Sequence, residues 1–438
     1  MIMRLSRRLL PAVIALLLLV ILSFEIQSPA PLWTSASNLP VPVRAGNTAS
    51  YSKNGNGYLF IVSGRNQNEA IVKTLQRYNV NTNSWDTLNP HPTGLLGGAT
   101  AVLKDTLYVI GGVVNPPGSG SNLVYKYNIP GNTWSQAADF PFATGDSKAV
   151  AYQDSLIYVA GGFAGANTGI VYLYNSIANI WRVADFFPSS VRRTFGGFAV
   201  TGDTLIYMCG TSSFGSSIYF DSVYVGVINQ SVRARITWTR GANFPGQTRT
   251  FFDAHSWGNH GIIMTGGSTD NSFNTHSNEC YSFSPGRNAW TRLPDKPTSW
   301  LTGQSGSVRI SNQLWKLICA SGYNTGYLNN TEILTDTMST VKINSVTSEL
   351  PNGFRLMQNF PNPFNPSTAI TYQINSAGLV SLKVFDLLGK EVAELVNEFQ
   401  SPGTYSINFE AGKLNSGVYF YRLRSGDFED TKRLALLK

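Results

Sequence analysis

Cysteine and histidine are scarce in this chain of 438 residues, and neither is arranged as in a metal site. The three cysteines are far apart and odd in number, which argues against a disulfide framework and predicts free, buried thiols. They are Cys209, Cys280 and Cys319. The four histidines are His91, His255, His260 and His276, without an HExxH or CxxC motif. The sequence therefore predicts no metal site and no cofactor.

Charged residues are also few. Asp, Glu, Lys and Arg make up 13% of the chain, and its formal net charge is +8 without any block of lysine or arginine. A nucleic-acid partner is therefore not expected. In contrast, 42% of the residues are hydrophobic, with 41 Gly, 21 Pro, 20 Tyr and 24 Phe. This composition excludes a disordered chain, and the lack of a 3.6-residue apolar period predicts an all-β protein with more than one domain.

Long hydrophobic runs are absent except for one at the start of the chain. Arg4, Arg7 and Arg8 precede an apolar stretch over residues 9–24, and polar and small residues follow it up to residue 30. This layout is typical of a secretory signal, which we place at residues 1–30. A single membrane-spanning helix is the alternative, but about 16 apolar residues are fewer than the roughly 20 that a span requires. The sequence thus favours export and no permanent transmembrane helix.

Two markers repeat six times along residues 31–337. Apolar runs that end in small residues are LFIVSG (59–64), LYVIGG (107–112), IYVAGG (157–162), IYMCGT (206–211), IIMTGG (262–267) and LICASG (317–322). Tryptophans at similar spacing are Trp33, Trp85, Trp134, Trp181, Trp238 and Trp290. Between the markers lie a tyrosine-containing strand, a turn and a further apolar strand, so each repeat predicts four strands.

These runs, tyrosine strands and tryptophans resemble the kelch repeat. The resemblance implies a six-bladed β-propeller, whose blades stack around an axis. Trp33 precedes the first glycine run, and no tryptophan follows the last, so we expect the N-terminal segment to supply the missing strand of the sixth blade. The fourth blade departs from the pattern, because Thr211 stands where the second glycine is expected.

The kelch resemblance also implies a binding face around the channel mouth. Carried over by position, residues after the glycine pairs are Arg65, Val113, Phe163, Ser212, Ser268 and Tyr323. Loops that lead to the innermost strands add Arg44, Arg193, Arg249 and Trp300. From these we predict a ligand site at Arg44, Arg65, Phe163, Arg193, Arg249, Trp300 and Tyr323, since arginine suits carboxylates and aromatic rings stack on sugars. Alternatively, these arginines tie neighbouring blades together and the aromatic residues plug the channel.

Catalysis receives little support from the residues. Some kelch propellers are copper oxidases with histidine and tyrosine ligands, and others isomerise sialic acids with arginines and acidic residues. No GxSxG motif, P-loop or paired-carboxylate signature is present here. We therefore assign no catalytic residue and expect a protein- or glycan-binding module. A carbohydrate-active enzyme, similar to a sialic acid isomerase or an oxidase, is the alternative, and a spacer without a ligand stays open.

The last hundred residues have a different pattern. Small polar residues over 338–352 indicate a linker, and residues 353–438 contain seven short strand patterns that predict a small immunoglobulin-like antiparallel β-sandwich. The blocks QNFPNPFNPST, GLVSLKVFD, LGKEV, NSGVYFYRL and TKRLALLK resemble the type A sorting domain of the type IX secretion system. Sorting-signal residues implied by the resemblance are Pro361, Asn362, Pro363, Phe364, Asn365, Pro366, Gly389, Gly417, Lys432 and Lys438.

The sorting-domain resemblance implies a route and partners. A chain with such a domain passes through the periplasm to an outer-membrane translocon, and a sortase-like peptidase commonly removes the domain. The cargo then stays on the cell surface or is released. We therefore expect a secreted or cell-surface protein with the type IX translocon and sortase as partners, an unidentified glycan or protein ligand at the propeller mouth, and a monomeric state.

Overall fold

The computed structural model describes most of the chain beyond the predicted signal. Its described residues are 31–115, 119–163, 169–188, 193–213, 215–258, 261–270, 272–311, 314–337, 342–347, 353–376, 378–400, 402–411 and 414–437. The predicted signal at residues 1–30 lies outside them. Among the described residues, no helix is long and apolar enough to cross a membrane.

Six four-stranded antiparallel sheets occupy the described part of residues 32–337. The strands of the first three sheets are, from the inner to the outer strand, β2 (Asn47–Lys53), β3 (Asn56–Arg65), β4 (Ile71–Asn79) and β5 (Ser84–Leu88); β6 (Ala99–Leu103), β7 (Thr106–Ile110), β10 (Val124–Asn128) and β11 (Thr133–Gln136); and β12 (Gly145–Tyr152), β13 (Leu156–Phe163), β14 (Ile170–Asn175) and β15 (Ile180–Phe186). The loop between β7 and β10 contains a two-stranded ribbon of β8 (Val113–Asn115) and β9 (Ser119–Gly120).

The other three sheets repeat this order. They comprise β16 (Gly197–Thr201), β17 (Thr204–Met208), β18 (Val223–Ile228) and β19 (Ile236–Gly241); β20 (Ala254–Trp257), β21 (Gly261–Thr265), β22 (Cys280–Ser284) and β23 (Ala289–Leu293); and β24 (Gln304–Arg309), β25 (Leu314–Ala320), β26 (Thr331–Thr337) and β1 (Leu32–Ala36). The inner strand of each sheet contacts the inner strands of both neighbouring sheets, and this closes a ring. The predicted six-bladed propeller is therefore confirmed.

The N-terminal strand closes the last blade. β1 pairs antiparallel with β26, from Leu32 opposite Thr335 to Ala36 opposite Thr331. The Trp33 indole N–H donates a hydrogen bond to the Pro294 carbonyl at 2.8 Å. This pairing covers the edge of β26, which would otherwise expose unpaired backbone groups.

A pair of side chains in the outer turn fastens each of four blades to the loop that leads into it. In the first blade, Asn83 accepts a hydrogen bond from the Ser37 amide at 2.9 Å, and the Trp85 indole donates to the Ser37 carbonyl at 2.8 Å. The same two bonds join Asn132 and Trp134 to Asn89, Asn179 and Trp181 to Ala138, and Asn288 and Trp290 to Ala242. In the fourth blade, the buried Trp238 indole nitrogen has no hydrogen-bond partner among the described residues.

The glycine pairs have two unlike positions. The second position has φ between 87° and 117° in all six blades and is glycine each time, at Gly64, Gly112, Gly162, Gly210, Gly267 and Gly322. The first position also has positive φ but accommodates serine or cysteine, as at Ser63, Cys209 and Ser321. The pair in the fourth blade is thus Cys209 and Gly210. Our expectation that Thr211 replaces the second glycine is wrong by one residue, because Thr211 follows the pair and bridges to Thr194.

We expect Gly210→Ala to lower the free energy of unfolding by about 2–3 kcal/mol. Residue 210 has φ of 87°, and a Cβ there would lie 2.6 Å from the Thr194 carbonyl oxygen. Gly202→Ala is the matched control, because its φ is also positive at 52° but nothing lies within 4 Å of its Cβ. All nine tryptophans lie in the propeller, so urea unfolding followed by tryptophan fluorescence reports on this domain. Equal costs for the two substitutions would contradict the steric argument.

The C-terminal domain is an antiparallel β-sandwich, as predicted. One sheet has the order β27 (Lys342–Thr347), β32 (Gly403–Glu410), β29 (Ser367–Ile374) and β28 (Arg355–Leu356). The other has the order β31 (Glu391–Gln400), β30 (Gly378–Phe385), β33 (Gly417–Ser425) and β34 (Phe428–Leu436). Buried side chains such as Ile370, Val384, Ile407 and Tyr421 fill the space between the sheets.

The sandwich begins earlier than the sequence indicates. Residues 342–347, which we assigned to a linker over 338–352, form β27 and pair with β32 from Lys342 opposite Asn408. An edge strand is held by backbone hydrogen bonds, which do not require an apolar pattern, so composition alone does not reveal it. The linker assignment is therefore too long.

Candidate functional site

A ring of six backbone positions forms the channel mouth. One residue with φ between 47° and 57° precedes or begins the inner strand of each blade, and these residues are Ala45, Gly97, Asp146, Phe195, Phe251 and Thr302. The amide of Gly97 donates to the Ala45 carbonyl at 3.2 Å, and the amide of Thr302 donates to the Phe251 carbonyl at 3.1 Å. Equivalent bonds join Asp146 to Gly97, Phe251 to Phe195 and Ala45 to Thr302. These bonds link neighbouring blades where the channel opens, and we call the six residues the mouth ring.

An aromatic platform covers one side of this mouth. Phe195 and Phe251 are two buried residues of the mouth ring, and the centroids of their aromatic rings are 4.4 Å apart. Phe273 stacks on Phe251 at 5.4 Å, and Tyr323 meets the edge of Phe273 at 6.2 Å. Tyr327 continues the series at 5.8 Å from Tyr323. We call these five residues the aromatic platform.

Next to the platform, two arginines and a tyrosine surround one carboxylate. Arg44 donates from Nη2 to Glu69 Oε2 at 2.8 Å, and Arg65 donates from Nη1 to the same oxygen at 3.1 Å. The Tyr327 hydroxyl donates to Glu69 Oε1 at 2.6 Å. The hydrogen bond from Tyr327, together with the two arginines, lowers the pKa of Glu69 to about 2. We call Arg44, Arg65, Glu69 and Tyr327 the arginine cluster.

The arginine cluster and the platform form one surface. The Arg44 guanidinium carbon lies 4.9 Å from the Phe273 ring centroid and 5.8 Å from those of Tyr323 and Tyr327. A cation over aromatic rings is attracted to their negative faces. Arg44, Arg65 and Tyr323 are therefore the predicted site residues that the structure brings together.

Three other predicted residues lie between blades. Arg193, Arg249 and Trp300 are 3%, 1% and 3% exposed, respectively. Arg193 donates to the backbone carbonyls of Cys209 and Ser222 at 3.3 and 3.2 Å. Arg249 forms an ion pair with Glu279. Both side chains thus bond to the blade that their own loop enters, and the Arg193 and Arg249 carbonyls accept hydrogen bonds from the Gly162 and Gly210 amides of the preceding blade at 3.1 and 2.9 Å.

The register of the loops explains this difference. Arg193, Arg249 and Trp300 stand two positions before the mouth ring, where the first two blades have the buried Val43 and Leu95. Arg44 stands one position before the ring. In these similar loops, a shift of one position along the chain therefore decides whether an arginine side chain is buried or lies at the mouth.

The remaining predicted mouth residues are not in the platform. Phe163 is partly buried on the third blade. Its ring packs so close to Gly145 that a Cβ added to this glycine would lie 3.1 Å from the ring. Val113 and Ser268 are buried, and the position after the glycine pair in the fourth blade belongs to the buried Thr211 rather than to Ser212.

Sequence reasoning missed Phe195, Phe251, Phe273, Tyr327 and Glu69. A signal for the first two is present, because the triplet Arg-Thr-Phe occurs at 193–195 and again at 249–251. The other three come from loops of different blades, whose meeting depends on the closure of the ring.

Behind the mouth, the inner strands enclose a channel cavity of about 280 Å³ that is lined partly by charged side chains. Lys148 forms an ion pair with Asp253 inside it. His255 Nε2 lies 2.8 Å from Ser305 Oγ, and burial lowers the pKa of His255 to about 4. Burial also raises the pKa of Asp146, in the mouth ring, to about 7. No group of three or more His, Cys, Asp or Glu side chains among the described residues is placed to hold a metal ion.

In the sandwich, the proline-rich motif connects the two sheets. Phe360 bridges to Ala369 in one sheet, and Phe364 bridges in parallel to Leu436 in the other. Asn362 accepts a hydrogen bond from the Ala435 amide at 2.9 Å and donates to the Arg433 carbonyl at 3.2 Å. The strand β34 is thus the partner of this motif.

The other predicted sorting residues have these positions. Pro361, Pro363, Asn365 and Pro366 lie on the exposed side of the motif, and Phe364 is buried. Gly389 occupies a turn with φ of 80°, Gly417 begins β33, and Lys432 on β34 faces Asp430 at 3.6 Å. Lys438 lies outside the described residues.

Comparison with curated proteins finds kelch proteins. The chain is 28% identical to Kelch-like protein terF of Aspergillus terreus over 134 residues, which are 30% of this chain and 28% of that protein. It is 30% identical to Kelch-like protein 35 of Mus musculus over 130 residues, which are 30% of this chain and 21% of that protein. Alpha-scruin of Limulus polyphemus is 28% identical over 24% of this chain and 12% of its own length. The chain thus spans less than a third of the length of these relatives.

Among solved structures, the one titled "Structure of YjhT" has a TM-score of 0.54 and 16% sequence identity, and the match covers 72% of this chain and 98% of that one. This likeness concerns the fold alone. Residues 358–436 match the secretion system C-terminal sorting domain, which confirms the predicted sorting domain and a secreted or cell-surface location. Residues 59–331 match the Attractin/LZTR1 beta-propeller model, so the chain belongs to this kelch-type propeller family and carries a C-terminal sorting domain.

Proposed function

We propose that this exported propeller binds a saccharide at its mouth. The observation that carries the proposal is the row of five contacting aromatic rings, of which Phe273, Tyr323 and Tyr327 are partly exposed beside the Arg44 guanidinium. The apolar face of a sugar ring stacks on aromatic rings, and its hydroxyl groups accept and donate hydrogen bonds at the edge of such a surface. Arg44, Arg65, Glu69 and Tyr327 offer both kinds of partner there.

The position of the sorting domain is compatible with this role. The inner strand β24 starts at the mouth, and β25 and β26 alternate in direction, so β26 ends at the opposite face of the propeller. The chain continues from that end into the sandwich. A type IX translocon and a sortase-like peptidase that act on the C-terminal domain therefore leave the mouth free.

A saccharide fits the mouth better than a protein surface does. The centre of a protein–protein interface is apolar: it is fully buried in the complex and exposed in the free partner. The strongly exposed large hydrophobic side chains in the described part of the chain include Ile177, Phe186 and Leu388, but none belongs to the platform. The platform rings are instead recessed, and the channel cavity behind them suits a small group.

A second candidate, catalysis on a sugar, has one supporting observation. The carboxyl of Asp146 stands in the mouth ring, and its pKa of about 7 allows it to accept or donate a proton near neutral pH. Enzymatic conversion of a bound sugar would be visible in the binding experiment as a change in the ligand's own spectrum.

We expect Phe273→Ala and Tyr323→Ala to weaken saccharide binding about tenfold each, because each removes one stacking surface. A glycan array probed with the chain from residue 31 identifies the ligand, and titration calorimetry with one-dimensional NMR of the sugar measures affinity and conversion. Phe186→Ala is the matched control, because Phe186 is 60% exposed on β15, outside the mouth. An unchanged affinity in both platform variants, or the absence of any bound glycan, would contradict the proposal.

A further inference from the structure

The arginine cluster has the composition of a carboxylate-binding site. Arg44 precedes β2, Arg65 ends β3, and Tyr327 lies between β25 and β26 in the last blade. Their three donor groups reach both oxygens of Glu69 at distances of 2.6 to 3.1 Å. Guanidinium groups and hydroxyls that converge from separate segments recognise a carboxylate through charge and direction together.

Glu69 is the most exposed member of this cluster. Its side chain is 52% exposed, whereas those of Arg44 and Arg65 are 18% and 22% exposed. The donors therefore belong to the wall of the mouth, and the carboxylate covers them from the solvent side. Two positive groups face this single negative group, and Arg65 Nε is buried without a hydrogen-bond partner among the described residues. The donor capacity of the cluster thus exceeds what Glu69 uses.

The carboxylate position is next to the stacking surface. Arg44 contacts both Glu69 and the Phe273 ring, so the two are joined by one side chain. A sugar ring stacked on the platform could therefore direct a carboxylate substituent to Arg44, Arg65 and Tyr327. A uronic acid has this combination of an apolar ring face and a carboxylate.

We propose that Glu69 occupies the carboxylate subsite of the mouth as an internal competitor, and that the ligand is an acidic saccharide whose carboxylate replaces it. This inference rests on the proposed saccharide binding and specifies its ligand class. In the free protein, Glu69 neutralises part of the charge of the two arginines. In the complex, the sugar carboxylate takes over its three hydrogen bonds, and Glu69 turns to solvent.

Displacement of Glu69 occurs by competition rather than by protonation. The hydrogen bond from Tyr327 and the arginines hold its pKa near 2, so its carboxylate stays charged at neutral pH. The internal carboxylate also disfavours neutral ligands that cannot replace its bonds with the arginines, which adds selectivity.

Substitution of Glu69 tests this directly. We expect Glu69→Gln to bind methyl β-glucuronide about tenfold more tightly than the unsubstituted chain, because a neutral amide competes weakly for the arginines. Methyl β-glucoside, which lacks the carboxylate, is expected to gain less than about twofold, so the ratio of the two affinities is the readout. Adding Arg65→Gln to Glu69→Gln should remove the gain. Calorimetry on the chain from residue 31 gives the affinities.

Glu429→Gln is the matched control, because Glu429 pairs with Arg422 and Arg424 on the sandwich, away from the mouth. Unchanged glucuronide binding in Glu69→Gln, with saccharides still bound, would overturn the inference and leave the proposed function intact. If no saccharide binds to any variant, the proposed function fails, and acetate titrated into Glu69→Gln decides the subsite alone. Saturable acetate binding that requires Arg65 would support it, and no binding would overturn it.

Discussion

Deletion of residues 432–438 is expected to abolish delivery of the protein to the cell surface. The deletion removes half of β34 and with it the carbonyl of Arg433 and the backbone of Ala435 and Leu437. These groups hold Asn362 and Phe364 of the proline-rich motif, with Phe364 bonded to Ala435 and Leu437 at 3.0 Å each. The motif and the last strand are therefore held together by hydrogen bonds, and a translocon would recognise them as one structural unit.

The measurement is surface labelling of intact cells of a bacterium with a type IX secretion system, together with cell fractionation. The truncated protein should accumulate in the periplasm with its propeller resistant to trypsin, which separates failed sorting from failed folding. Leu388→Ser is the control, since Leu388 is 94% exposed in the turn that follows β30. Normal surface display of the truncated protein would show that this segment is not the sorting signal.

Lys296→Met is expected to lower the free energy of unfolding by about 3–5 kcal/mol, because it leaves a buried carboxylate without its cation. The Lys296 and Glu332 side chains are 2% and 6% exposed, and Nζ lies 2.5 Å from the Glu332 carboxylate. Lys296 also donates to the Thr298 carbonyl at 2.7 Å and lies 4.5 Å from the Trp300 ring centroid. This pair joins the loop after the fifth blade to β26 of the sixth.

Two comparisons make the expectation specific. Lys104→Met should cost less than about 1 kcal/mol, because Lys104 and Asp154 form an exposed pair at 4.0 Å. Combining Lys296→Met with Glu332→Leu should recover part of the loss, since the uncompensated charge is then gone. Urea unfolding followed by tryptophan fluorescence gives the three values. Equal losses for Lys296 and Lys104 would mean that the buried pair does not hold the ring closed.

Much of the fold was predictable because its information is local and repeated. Each blade contains its own tryptophan, tyrosine strand and glycine turn, so a reader of the sequence can count blades without knowing their contacts. The same repetition misled us at the fourth blade. There the Thr194 carbonyl leaves no room for a side chain at position 210, so the required glycine is Gly210, and Thr211 does not replace it. The strand at residues 342–347 was missed because edge pairing leaves little trace in composition.

The arrangement of side chains at the channel mouth was predictable only in part. Arg44, Arg65 and Tyr323 could be placed from the kelch pattern, whereas Arg193 and Arg249 carry the same chemistry one register position away and are buried between blades. A side chain's direction in such a loop depends on backbone bonds to the neighbouring blade, which the sequence does not display.

The sequence by itself determined the number of blades, the closing role of the segment around Trp33 and the identity of the sorting domain, because each follows from short local patterns and from their order along the chain. Tertiary structure alone decided which side chains form the mouth. Glu69 and Tyr327 are 258 positions apart and meet only because the last blade closes against the first. The ring closure that stabilises the propeller thus also creates its arginine cluster.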